Sequence, residues 1–301
     1  MSETVTIGIP TYNRSEQLQT LLESLLKQTY KGIEIIISDN NSSDNTEEVC
    51  AQYLDKFNQY TYIKQETNIG SKENFIHLFE ICETKYFMWI ADDDFIDHNY
   101  IKECMNYHQN GNYALVSGVS IYYNNNGKKQ FQGKTITLED TNDSIRAYNF
   151  FRETRDNGIF YGIYNKKIVT SLTSFRRPIS WGEDIIFLGH VAYQGKILTS
   201  DKTSVHRSLD GVSATLEKVV EAKGLHKINV FFPQFTMCLD IYNNFVNIKG
   251  ITKYQSFMMA YSYLKGSEKN WLLWMIYHAS KMILKSSSPR TFNFIRNSVK
   301  K

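Results

Sequence analysis

The chain has 301 residues, 42% hydrophobic and 22% charged, which allows a sizeable buried core and excludes a disordered or fibrous protein. A net charge of +3 is too small to argue for nucleic-acid binding, and four scattered cysteines without a CxxC pair speak against a thiolate zinc site or disulfide scaffold and for a reducing compartment. The first residues show no secretory pattern and no stretch reaches the ~18 apolar residues of a spanning helix, so a cytoplasmic protein is expected.

Residues 5–9 form an apolar, β-branched run closed by Pro10 and the polar turn Thr11, Tyr12, Asn13 and Arg14. Leu18, Leu21, Leu22, Leu25 and Leu26 then recur at helical spacing. A second apolar run, 33–37, ends abruptly in Ser38-Asp39-Asn40-Asn41-Ser42-Ser43-Asp44, and a helix is expected over 46–57. A third strand is read at 60–65, a turn at Asn68-Ile69-Gly70, a helix over 73–82, and a fourth strand over 86–90 that runs into Asp92-Asp93-Asp94. This alternation predicts βαβ units, hence an α/β fold with a mostly parallel central sheet flanked by helices. Ligands in such sheets collect at the carboxyl ends of the strands, and three of the four strand ends carry dense polar clusters.

Farther along, 114–123 reads as a strand, 124–127 as a tight turn, 128–137 as a returning strand and 144–152 as a helix. Another helix opens at 180–184 and runs to 193. After Asp210 the alternation stops and the sequence turns helical and basic, which places a boundary near Gly211: an α/β domain over 1–210 and a C-terminal helical region over 211–301. Residues 269–301 carry seven Lys and Arg and no acid, beside an apolar, aromatic stretch at 271–284 too short to cross a bilayer. That combination suits the anionic surface of a cytoplasmic leaflet; a helix packed on the first domain, or an oligomer contact, is the alternative.

Three carboxylates as close as Asp92, Asp93 and Asp94 repel one another and raise one another's pKa unless a cation neutralises them. A hard divalent ion does so, commonly bridging one or two carboxylates to substrate phosphates. The alternative is a solvated turn whose aspartates cap the next helix; a position after a central strand favours the metal. The first βα unit lacks G-x-G-x-x-G, so a dinucleotide site is not expected.

In this order, the elements resemble the inverting glycosyltransferases of family 2, which have the GT-A fold. The resemblance runs from about Val5 to His206 and is carried by Pro10-Thr11-Tyr12-Asn13-Arg14, the 33–37 strand with Ser38 to Thr46, Asn68-Ile69-Gly70, the acidic triplet, and Trp181-Gly182-Glu183-Asp184. It is closest to enzymes that build bacterial surface polysaccharides of O-antigen or capsule type. It implies a nucleotide-diphosphate sugar donor, Mn2+ or Mg2+, and a glycan acceptor, including one growing on a lipid carrier.

The resemblance also assigns roles. Pro10, Thr11, Tyr12 and Arg14 contact the base and diphosphate, Asp39 binds the base or ribose, and Asn68, Gly70 and Lys72 belong to a loop that closes against the base. The chemistry is compatible: a carboxylate accepts hydrogen bonds from base N–H or ribose hydroxyls, and an arginine offsets phosphate charge. Asp184 becomes the base that takes the acceptor proton, Glu183 supports it or binds the acceptor, and His206 is a further metal ligand. Many relatives carry an aspartate where this chain has Ala91, followed by a small residue and two acids. In that register Asp93 ligates the metal with Asp94 beside it, and Asp92, in place of the small residue, faces the nucleotide sugar; read as Asp-x-Asp, the pair is Asp92 and Asp94.

Two other readings compete. A noncatalytic nucleotide-sugar-binding or assembly subunit could keep the fold, but retention of both the triplet and Asp184 disfavours it. A sugar-1-phosphate nucleotidyltransferase would show a Gly-rich, basic loop after the first strand, and residues 11–14 form none.

Overall fold

The apolar runs become the middle of a ten-stranded sheet. The computed structural model describes residues 3–124, 126–153, 157–170, 172, 175, 182–209 and 233–266. Strands β1 (Val5–Thr11), β2 (Ile33–Asp39) and β4 (Tyr86–Trp89) are buried almost throughout, as expected of strands covered on both faces. On one side β3 (Gln59–Lys64) forms the edge. On the other lie β9 (Ile163–Asn165), β6 (Tyr113–Tyr123), β10 (Lys196–Ser208) and the short β5 (Phe95–Ile96), in the order β3-β2-β1-β4-β9-β6-β10-β5. Two further pieces, β7 (Lys129–Gln132) and β8 (Thr137–Leu138), pair with β6 and β10.

Strand direction is what positions the site. β1, β2, β3 and β4 are parallel, and β9 is antiparallel to both β4 and β6. Two reversals restore the original direction, so β6 and its parallel neighbour β10 point the same way as β1. All six long strands therefore end on one rim, in agreement with the expected mostly parallel sheet.

Eight helices are described: α1 (Ser15–Leu26), α2 (Thr46–Ala51), α3 (Ser71–Ile81), α4 (Tyr100–Asn110), α5 (Asp143–Glu153), α6 (Glu183–Gln194), α7 (Pro233–Phe245) and α8 (Lys253–Gly266). Four of the five leucines predicted to line α1 are buried; Leu26, at the edge of the stripe, is exposed. Beneath the site, Trp89 is fully buried and stacks on Phe79 and Phe160 at 5.2 and 5.1 Å, with Phe87 edge-on at 4.8 Å. Its indole Nε1 donates to the Phe75 carbonyl at 2.8 Å, so the ring is buried without an orphaned donor. Burying each such side chain is worth about 1.5–3 kcal/mol.

The helix expected over 46–57 stops at Ala51. Beyond it the N–H groups of Gln52, Tyr53, Leu54 and Lys56 bond carbonyls three residues back, the tightening of a 3₁₀ path that turns Tyr53 into the core. The returning strand expected over 128–137 is divided: Lys129–Gln132 pairs with β6, while Thr137–Leu138 crosses to β10.

The helices α7 and α8 pack on the α/β layer, with Phe245 against Phe151 at 5.5 Å and His190 at 4.3 Å. Gln255 donates to Ser144 Oγ at 3.0 Å. Ser180, Trp181, the boundary near Gly211 and the basic tail 269–301 lie outside the described residues. Among the described residues, no helix is long and apolar enough to cross a membrane.

Candidate functional site

Strand order places β1 between β2 and β4, so the chain leaves β1 in one direction for α1 and returns on the other side through β4. Such a switch point opens a crevice at the carboxyl ends of the strands. Pro10 marks it. The β1–β4 ladder ends at Gly8 opposite Trp89, with a last bond from Ile90 N to Gly8 O, so the N–H that Pro10 lacks faces a side where pairing has finished.

The two loops beside this crevice are tied to each other. Asn13 and Asn41 both adopt positive φ, +51° and +66°, a region asparagine tolerates better than most residues. Asn13 N donates to Ser42 Oγ at 2.9 Å and Asn13 Oδ1 accepts from Ser43 N at 2.8 Å. The Asp44 carboxylate accepts from Ser15 N, at 3.0 Å, and from Thr46 N, at 3.2 Å, so one acid serves the first turns of α1 and α2. Tyr12 stands between these contacts, 47% exposed, with its ring available at the rim.

Thr11 Oγ1 donates to Asp92 Oδ2 at 2.8 Å. Arg14 Nη1 reaches Asp92 Oδ1 at 3.1 Å and Asp93 Oδ2 at 2.7 Å. Asp94 accepts from Ser208 N at 3.0 Å and lies 3.5 Å from Arg207 Nε. Burial pushes the carboxyl of Asp92 up to about 6, against the pull of Arg14, and that of Asp94 up to about 7, against the pull of Arg207. Asp93 is the most accessible of the three, its side chain 22% exposed against 6% and 4%.

Asp39 is fully buried at the end of β2. Its Oδ1 accepts from Ser42 N at 2.9 Å and its Oδ2 from the Tyr62 hydroxyl at 2.7 Å. Asn40 continues the rim: its Nδ2 donates to Asn68 Oδ1 at 2.9 Å, and its Oδ1 accepts from Ile69 N at 2.8 Å. Gly70 follows at φ +85°, a conformation that favours glycine, and leads into α3. The Asn68–Gly70 loop is thereby fixed against the loop that carries Asp39.

The remaining candidates arrive from α3 and α6. Lys72 Nζ pairs with Glu183 Oε1 at 3.2 Å, joining the two helix starts. Asp184 accepts from Asn157 Nδ2, and Asn157 Oδ1 in turn accepts from Arg207 Nη1 at 2.7 Å. Asp94, Arg207, Asn157 and Asp184 therefore form one continuous path. His206 does not lie on it: its Nε2 meets Asp97 Oδ1 at 2.8 Å, its Nδ1 meets the Tyr123 hydroxyl at 3.1 Å, and its ring stacks on Phe95 at 4.5 Å. On an extended strand successive side chains face opposite ways, and here Arg207 is the one that reaches the triplet.

Arg207, Asn157, Tyr62 and Tyr122 carry the site without having stood out in the sequence. Arg207 adjoins the histidine that did, and the alternation of a strand was the only signal that could have chosen between them. Among the described residues, no group of three or more His, Cys, Asp or Glu side chains is arranged to hold a metal ion. Arg14 supplies the positive charge beside the triplet.

A model of glycosyl transferase family 2 matches residues 6–173, more than half of the chain. Over 124 residues the chain is 31% identical to the glycosyltransferase GlyG of Streptococcus pneumoniae, covering 41% of this chain and 40% of that protein. It is 24% identical over 166 residues to a GalNAc(5)-diNAcBac-PP-undecaprenol beta-1,3-glucosyltransferase of Campylobacter jejuni, covering 55% and 52% of the two chains. The chain thus spans about half the length, or less, of these relatives.

In fold it is similar to S. aureus TarS 1-349 in complex with UDP-GlcNAc, with a TM-score of 0.64, 18% identity, and coverage of 87% of this chain and 71% of that one. It is also similar to the mannosyltransferase PcManGT from Pyrobaculum calidifontis in complex with GDP-Man and Mn2+, with a TM-score of 0.56, 12% identity, and coverage of 100% and 80%. These two likenesses are of fold, and they agree with the GT-A type expected. With the family model covering β1 through β9, the chain belongs to glycosyl transferase family 2.

Proposed function

We propose that the chain transfers a sugar from a nucleotide-diphosphate sugar to a glycan hydroxyl with inversion, in the synthesis of a bacterial surface polysaccharide. The observation that carries this reading is the path from Asp94 through Arg207 and Asn157 to Asp184. It sets an acidic cluster at the switch-point crevice and a separate, partly accessible carboxylate around one guanidinium.

In this reading the crevice between the ends of β1 and β4 receives the donor. The nucleoside lies toward Pro10, Tyr12, Asp39 and the Asn68–Gly70 loop, and the diphosphate lies toward Thr11, Arg14 and the triplet. Three carboxylates would repel a diphosphate, and their hard oxygen donors fit Mn2+ or Mg2+ completed by phosphate oxygens. Asp93, the most exposed, is the residue to hold the cation, with Asp94 beside it; His206 would join only on leaving Asp97 and Tyr123. Bound there, the cation would stabilise the charge that develops on the leaving diphosphate.

The chain's own residues do the rest. Arg14 adds positive charge on the leaving-group side. Asp184 accepts the proton of the acceptor hydroxyl as its oxygen attacks the anomeric carbon from the face opposite the diphosphate. The bond from that carbon to the phosphate oxygen breaks, and the nucleoside diphosphate departs with the electron pair. The Lys72–Glu183 pair holds the start of α6, and with it Asp184, against the loop over the nucleoside. The lipid-linked glycan in the name of the Campylobacter relative supports an acceptor of that class, and the basic tail would place the enzyme on the cytoplasmic face of a membrane.

Thermal melts with a panel of nucleotide sugars, beginning with UDP-GlcNAc and GDP-mannose and run with and without Mn2+, test the donor assignment. A bound donor stabilises the folded state by mass action. Stabilisation that requires Mn2+ supports the reading, and no stabilisation by any nucleotide sugar overturns it. Asp184→Asn should keep donor binding and lose transfer by about a hundredfold or more.

A further inference from the structure

Arg207 is the most committed side chain at the site. Only 11% of it is accessible, and a buried guanidinium is costly unless its charge and donors are met. Its Nη1 donates to the Tyr122 hydroxyl at 3.1 Å and to Asn157 Oδ1 at 2.7 Å, while its buried Nε makes no hydrogen bond among the described residues and lies 3.5 Å from Asp94 Oδ2 as an ion pair. The rings of Tyr161 and Tyr122 lie 4.7 and 5.3 Å from its centre. The shortest of these contacts is to an amide oxygen, although two carboxylates lie on the same path.

That contact decides how the amide is turned. An arginine has donors only, so Asn157 must offer it oxygen. The NH2 of Asn157 is then left for Asp184 Oδ2. The flipped amide would set NH2 against the guanidinium and carbonyl oxygen against the carboxylate, two repulsions in place of two hydrogen bonds. Asp184 Oδ1 accepts from Ile185 N at 2.9 Å, so both oxygens are held and the carboxylate plane is fixed.

We infer that Arg207 and Asn157 are positioning residues that orient Asp184 for proton removal and couple it to the acidic cluster at Asp94. The inference rests on Asp184 being the base. Three separate elements meet to make it: β10, Asn157 at the cap of the 3₁₀ turn Gly158–Tyr161, and the first turn of α6. Orientation of a reacting group is worth orders of magnitude in rate, and small displacements lose much of it.

Asn157→Asp is the discriminating variant. It keeps the volume and an oxygen for Arg207, but replaces the donor facing Asp184 with a like charge. With UDP-GlcNAc or GDP-mannose, whichever the wild type turns over, kcat should fall about thirtyfold or more. Donor KM should stay within about threefold and the melting temperature should hold. Arg207→Lys keeps a positive charge but cannot face Asp94 with one nitrogen and Asn157 with another, and should lose kcat about tenfold. A wild-type kcat in Asn157→Asp overturns the inference. So does a loss of donor binding or thermal stability that matches the loss of rate, since that marks a structural role. Asp184→Asn, measured alongside, separates the two failures: full activity there removes the base itself, whereas an inactive Asp184→Asn beside a fully active Asn157→Asp removes only the positioning role.

Discussion

Arg14 Nη1 lies 2.7 Å from Asp93 Oδ2, on the carboxylate best exposed to receive a cation. A side chain and a metal ion would thus compete for the same charge. Arg14→Met should tighten Mn2+ binding to the nucleotide-free protein by about three- to tenfold, because a favourable neighbour of the carboxylate has gone. The same variant should bind UDP less tightly in the presence of Mn2+, having lost a cation on the diphosphate side. Mn2+ titration followed by electron paramagnetic resonance measures the first effect. Weaker Mn2+ binding in the variant would mean that Arg14 orders the carboxylates for the metal.

Gly8 sits in the middle of β1, where a Cβ would stand 2.7 Å from Phe87 Cζ and 3.1 Å from Leu78 Cβ. Phe87 has nowhere to retreat, with Phe79 and Trp89 packed on it at 5.3 and 4.8 Å. Gly8→Ala is expected to lose about 1–3 kcal/mol of stability through overpacking. Urea unfolding reads this directly, and an unchanged midpoint would show that the aromatic cluster repacks freely.

Burial holds the His108 imidazole down at about 4, from an ordinary 6.5. The neutral ring has its Nε2 2.8 Å from the Ile163 carbonyl and its face against Tyr86. In the unfolded chain the same ring takes its proton near pH 6.5. Below that pH the unfolded state gains a proton that the folded state refuses. The His108 contribution to stability is therefore full above about 6.5, falls as the pH drops, and reaches a loss of about 3 kcal/mol near pH 4, while the raised carboxyls of Asp92 and Asp94 act in the opposite sense. His108→Gln should remove that contribution, so that between these limits the unfolding free energy of the variant rises less with pH than that of the wild type. An equal slope in the variant would assign the acid sensitivity elsewhere.

Removing residues 268–301 deletes seven basic residues and the apolar, aromatic stretch beside them. Each basic residue near an anionic leaflet is worth about 1 kcal/mol. Retention on vesicles containing anionic phospholipid should fall by about tenfold or more, with donor binding unchanged. Equal retention of the truncated chain would support a tail that packs on protein.

The sequence was legible where one physical demand dominated. β1, β2 and β4 are buried on both faces, so burial alone wrote their apolar runs, and the parallel register brings the polar ends of those runs together on one rim. It was silent where two demands met. β10 is polar along much of its length, shifts register between Ser200 and Ser204, and shows little apolar alternation, yet it delivers Arg207 and Ser208 N to Asp94. β9 has three residues, too few for any period to appear. Asn157 gave no signal because its role depends on an arginine fifty positions away. α2 ended early because Tyr53 had to reach the core, a tertiary demand that local propensity does not record.

Those three residues of β9 have a consequence for how such a chain can change. Buried throughout, they splice two blocks of strands by reversing direction twice, with Gly162 just before them seated so closely on β6 that a Cβ would lie 2.6 Å from Leu115 Cδ1. One block brings Thr11, Asp39 and the triplet; the other brings Arg207. Because the splice sets their common heading and the β5–β10 pairing ties the triplet to the second block, other loops on either block are free to diverge while the two sets of side chains still meet. Exchange of one block between related chains should succeed when the join at β9 is preserved and fail when it is cut.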